Sequence, residues 1–177
     1  GDCTVHYNQA GSPNYNAATE VTESTTAQKA GQEITFNPLT GKTYDDAPFG
    51  ISASANSLLA VSFSSQTPLV CSVSGATVTL LDVGTCTIRA SQAGDVNYNE
   101  ATPVDRSFVV VAGALTHFAI ATIPTPQTAG VAFDITVTAQ DKGNHTAATC
   151  TGTVDISSTG TLSSGGGTTA AFSSGVL

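Results

Sequence analysis

"GTCTIRASQAGDVNYNEATPV", residues 84–104, decides the fold, because "GDCTVHYNQAGSPNYNAATEV", residues 1–21, repeats it without a gap. Cys3, Thr4, Gln9, Ala10, Gly11, Asn14, Tyr15 and Asn16 fall on Cys86, Thr87, Gln92, Ala93, Gly94, Asn97, Tyr98 and Asn99 at an offset of 83 residues. A period of that size belongs to tandem domains, not to the turns of a solenoid. The second copy has a domain's worth of chain before it; the first reads as terminal strands without their domain.

Working outward from the second copy, residues 31–112 hold a full set of strand signals. "QEITF", "FGISASA", "AVSFSS", "CSVSG", "ATVTLL", "CTIRASQ" and "RSFVVVA" each alternate or run briefly apolar, and Pro, Gly, Asn and Asp turns divide them. No stretch keeps a helical period. The expectation is an all-β sandwich of about seven strands.

Composition agrees. The 177 residues are 10% charged, with no Trp and few aromatics, which suits short β-branched strands joined by polar turns. A net charge of −8, with five Lys and Arg, argues against nucleic acid and anionic membrane surfaces as partners, since both reward clustered cations. No apolar run reaches the roughly 18 residues of a membrane-spanning helix. With Gly first and no Met anywhere, the chain reads as a processed or excised product.

The segment from "GKTYDDAPFG" to "RSFVV", and "GTCTI-x-A-x-QAG-x-x-x-YN" most of all, resembles the MBG-type bacterial Ig-like repeat of large secreted and surface proteins. The resemblance covers residues 31–112 and implies a structural repeat without a catalytic centre. Residues 113–177, with "TAG-x-x-F-x-x-TVTA-x-D" and "TGTV-x-x-SS", are similar to a second Ig-like module found in adhesin stalks. That module would need further strands after Leu177. The expected organisation is therefore residues 1–30 as donor strands, 31–112 as one sandwich, and 113–177 as a second that lacks its last strands. Residues 1–30 and 113–177 together approach the roughly 100 residues of one such sandwich.

No residue pattern supplies a reaction. His6, His117 and His145 have no nucleophile motif nearby and read as solvated or packed side chains. Asp141 with Asn144, and Asp45 with Asp46, offer oxygen ligands without the repeated spacing of a calcium loop, so they read as turn residues. Asn144 opens an "NHT" glycosylation sequon. Lys29, Lys42 and Lys142 lie in linker or turn sequence, not beside the buried Asn and carboxylate that an isopeptide crosslink needs. No catalytic residue, metal or cofactor is expected.

Four cysteines without C-x-x-C or ligand-spaced His read as disulfide formers in an oxidising compartment, the alternative being buried free thiols. "VCSVSGATVTLLDVGTCTI" runs strand, turn, strand, turn, strand, which returns Cys86 to Cys71. Cys3, the counterpart of Cys86, is expected to bond Cys150 of a neighbouring subunit. The functional expectation is a structural unit of a secreted bacterial filament or surface-fibre stalk, polymerising head to tail with copies of itself by donor-strand complementation. The alternative is a segment of a large adhesin whose loops bind a host glycan or receptor.

Overall fold

The structure, a computed structural model, describes residues 1–157 and 167–177. Every regular element among them is a strand. In the head, β1 (Asp2–Tyr7) and β2 (Val21–Thr26) form one hairpin. The middle contains β3 (Ile34–Phe36), β4 (Lys42–Thr43), β5 (Phe49–Gly50), β6 (Ala53–Ala55), β7 (Ser62–Ser65), β8 (Cys71–Ser74), β9 (Thr77–Leu80), β10 (Gly84–Ser91) and β11 (Val104–Val111). The tail adds β12 (His117–Ile120), β13 (Val137–Gln140), β14 (Asp155–Ile156) and β15 (Gly167–Thr168).

In the middle, a four-stranded sheet β4-β11-β10-β7 shares one core with the pair β3-β6 and the three-stranded sheet β5-β9-β8. Alternation decides which side chains enter that core. Along β10 every second residue, Cys86, Ile88 and Ala90, is fully buried, as a period of two requires of a sheet with one face covered. Phe36 with Phe63 and Phe49 with Phe108 pack across it at ring separations of 5.5 and 5.8 Å.

One expected strand divides. "FGISASA" is read as continuous, yet Phe49–Gly50 pairs with β9 while Ala53–Ala55 pairs with β3. The Ile51 N–H, donating to the Ala76 carbonyl at 2.9 Å, marks the change of partner. A disulfide joins Cys71 at the start of β8 to Cys86 in β10, with Cα atoms 5.8 Å apart, so it ties one sheet to the other.

The tail has a smaller core of Val137, Ala139, Ala147 and Phe172, with Ile135, Cys150, Val154 and Leu177 packed against it. β13 is its central strand. β12 pairs along one edge, and residues 175–177 run along the other through Val137 N–H to Leu177 O at 3.0 Å and Ala139 N–H to Gly175 O at 2.8 Å. Residues 169–172 extend the β14-β15 pairing, with Thr169 donating to Val154 O and Phe172 to Gly152 O, both at 2.9 Å. The later part of the "TGTV-x-x-SS" strand, from residue 158, lies outside the described residues.

Both disulfide sulfurs are fully buried and the bond closes a span of 15 residues. Replacing Cys71 and Cys86 together by Ala should lower the unfolding free energy of the middle sandwich by roughly 3 kcal/mol, read by denaturant titration. A loss well under 1 kcal/mol would show that the sheets do not depend on the tie.

Candidate functional site

The described residues contain no cluster of three or more His, Cys, Asp or Glu placed to hold a metal ion. The features that stand out are two half-covered apolar surfaces, one at each end of the chain, and a polar joint between middle and tail.

The first surface belongs to the head hairpin, which copies β10-β11 bond for bond. β1 and β2 pair Cys3 with Thr25 and Val5 with Glu23, where β10 and β11 pair Cys86 with Phe108 and Ile88 with Arg106. The hydroxyls of Thr4 and Ser24 meet at 2.8 Å, as do those of Thr87 and Ser107. Gly11 and Gly94 both adopt positive φ, 81° and 78°, and each donates its N–H to the side-chain oxygen of the Gln two residues earlier. The shared "QAG" fixes this turn: a Cβ at either glycine would strike backbone atoms across it.

What differs is cover. Ile88 is 0% exposed and its counterpart Val5 is 45% exposed; Cys3, Tyr7 and Val21 on the same face are also open. Gln92 is held under the sandwich by Gln32, which also donates to Asn99 O at 2.6 Å, whereas Gln9 is exposed. An isolated two-stranded hairpin with its apolar face open is marginal in water.

The second surface is the tail core. Phe118, 42% exposed, stacks on buried Phe172 at 5.3 Å, and Phe133, Val131 and Ile120 are exposed nearby in sequence. Cys150 is half-buried against this core and Cys3 is exposed; both are free thiols within the chain.

The joint is built around Asp141, which is fully buried. Its carboxylate accepts N–H bonds from Gly113 at 2.8 Å, Gly143 at 2.8 Å and His145 at 2.9 Å, so one side chain stitches the linker to the turn after β13. His145 Nδ1 lies 3.0 Å from Asp141, and Nε2 lies 2.7 Å from Asp82 of the middle sandwich. An imidazole facing carboxylates at both nitrogens donates to both only as imidazolium. Tyr44 packs edge-on against that ring at 4.5 Å, and Asp45 pairs with Lys142 at 2.9 Å while accepting from Ala114 N–H at 3.0 Å. Gly113 and Gly143 leave room for these side chains: a Cβ on the first would enter the Asp45 carboxylate, and on the second would lie 2.5 Å from His145 Cε1.

Charge follows this geometry. Burial pushes the Asp141 pKa up, but the N–H bonds from Gly113, His145 and Gly143 and the His145 ring overcome it and bring it down to about 2. Burial lowers the His145 pKa, and the bonds to Asp141 and Asp82 outweigh it, holding it above the usual histidine value.

The other residues singled out from sequence are ordinary. His6 bonds Glu20 at 2.9 Å on the hairpin face opposite Val5 and Tyr7, and His117 Nε2 meets Asn144 at 3.1 Å. Asp46 accepts the Thr43 N–H within its turn, and Lys42 sits 4.6 Å over the Phe49 ring. Lys29 enters through its backbone oxygen, an acceptor for Asn99 Nδ2 at 3.2 Å. Sequence reasoning placed Asp141 and His145 in a turn but missed the joint, because Asp82 and Tyr44 are remote in sequence and only folding brings them there.

No protein-family model, curated protein or solved structure matches the chain. Any reading of function therefore rests on the residues and their arrangement.

The joint carries a pH signature. His145, with its raised pKa, contributes fully below about pH 6.5 and loses its contribution as pH rises through the folded-state value; Asp141, with its lowered pKa, contributes above about pH 4 and loses it on acidification toward pH 2. The tail should therefore be held most firmly to the middle between about pH 4 and 6.5. Hydrogen exchange at Gly113 and Gly143 across pH 5 to 9 checks this, and His145→Gln should flatten the alkaline limb. A profile identical in that variant would show that the histidine does not couple the two sandwiches.

Proposed function

We propose that the chain is a structural unit of an extracellular bacterial filament or surface-fibre stalk, made of Ig-like sandwiches and assembled head to tail, the head hairpin of one copy completing the tail of the next. The observation that carries this reading is the exposed face of Cys3, Val5, Tyr7 and Val21 on a hairpin whose register-matched twin is buried in the middle sandwich. The twin shows what such a hairpin does when covered: it supplies half of a core. Open sheet edges left bare invite uncontrolled association, and strand addition satisfies them in one orientation.

A head-to-tail contact is heterologous, so repeated addition gives an open polymer unless the rotation closes a ring. The polar joint serves such a polymer by fixing the angle between successive sandwiches. The middle disulfide, and the absence from the described residues of any helix long and apolar enough to cross a membrane, are compatible with an extracellular site. Catalysis has no part in this reading; the partner is another copy of the chain.

The test is assembly of the purified chain. Sedimentation and electron microscopy should show end-to-end oligomers that lengthen with concentration. Val5→Asp with Tyr7→Asp should abolish them while leaving the unfolding transition of the middle sandwich in place. Oligomers that survive both aspartates, or a chain that stays monomeric at every concentration, would defeat the proposal.

A further inference from the structure

We infer that the donated β1 adds to the edge of β14 opposite β15 in a second copy of this chain, antiparallel, as β10 adds to β7. This rests on the head-to-tail reading above and names the strand that receives the hairpin.

The chain contains its own template for the contact. β10 meets β7 through Ile88 with Ser65, Arg89 with Ser64, Ala90 with Phe63 and Ser91 with Ser62. The repeat offset carries those four β10 positions onto Val5, His6, Tyr7 and Asn8, so the accepting edge of β1 is its second half.

The tail offers one strand in the place of β7. β13 lies between β12 and residues 175–177, as the stretch that divides into β5 and β6 reaches β9 through the first and β3 through the second. β14 is the next strand after β13, as β7 is the next after β6. One edge of β14 is taken by β15 and residues 169–172; on the other, no hydrogen bond is made among the described residues. Val154 packs into the tail core, so the face of β1 with Val5 and Tyr7 would close over that core once the strands are paired.

The cysteines then separate. Past the end of β7, Gln66 N–H bonds Thr87 O, so Cys86 lies beyond the C-terminal end of that strand. By the same path Cys3 lies beyond the C-terminal end of β14, whereas Cys150 precedes its start. A Cys3–Cys150 bond between subunits is the competing arrangement.

The experiment uses the full chain with Cys3→Ser and Cys150→Ser, into which a new pair is introduced: His6→Cys or Asn8→Cys with Asp155→Cys, and Ser24→Cys with Asp155→Cys as the β2 control. Mild oxidation of assembled material should give a ladder of multiples of the 17.7 kDa chain on non-reducing gels from the β1 pairs and not from the control. A ladder from the Ser24 pair alone, or oligomers in which neither β1 pair crosslinks, overturns the edge assignment while head-to-tail assembly stands. A native ladder that vanishes on Cys150→Ser puts Cys3 beside Cys150 and overturns it too. Material that sediments only as monomer removes both readings together.

Discussion

A β-hairpin with one apolar face is marginal until that face is covered, and this chain presents one such pattern twice, covered in the middle and open in the head. In the middle, the face of β10-β11 meets two other sheets and vanishes from solvent, and Cys71 reaches across to Cys86. In the head, the same backbone bonds and the same glycine turn form, and the face stays open. Local hydrogen bonding therefore does not decide burial; the partner sheet does. Burying side chains the size of Val and Tyr contributes about 1.5 to 3 kcal/mol each, enough to make cover for the head hairpin worth finding.

The joint shows a second way of holding sandwiches in line. Linkers between tandem domains are commonly polar and loosely held, and relative motion is the default. Here a buried carboxylate binds the linker's own N–H at Gly113, and a histidine clamps it to Asp82. Removing one partner from a buried charge network leaves the other uncompensated, so the joint is held as a set, not as separate bonds. A Cβ at Gly113 or Gly143 would displace the Asp45, His145 or Tyr44 side chains that form the joint.

The all-β class and the repeat were legible because both are written in short-range pattern: alternation such as Cys86, Ile88, Ala90, and a turn chemistry shared by Gly11 and Gly94. The pairing of Cys71 with Cys86 was within reach because two turns return the strand locally. The division of "FGISASA" was not, since a change of partner from β9 to β3 leaves no mark on alternation. Nor was the joint: an Asx turn at Asp141 is visible as a spacing, but Asp82, Tyr44 and Asp45 reach it through contacts that only the tertiary fold creates.

The pairing of β4 with β11 has a mechanical consequence. These strands lie near the two ends of the middle sandwich and run parallel, Lys42 beside Val110 and Thr43 beside Val111, continued by the Tyr44 N–H bond to Val111 O. Tension applied along the chain pulls them in opposite directions, so their hydrogen bonds are loaded together in shear instead of being unzipped singly. Once that ladder slides, extension stops short of the loop closed by Cys71 and Cys86, which remains as a covalent reserve the pull cannot lengthen.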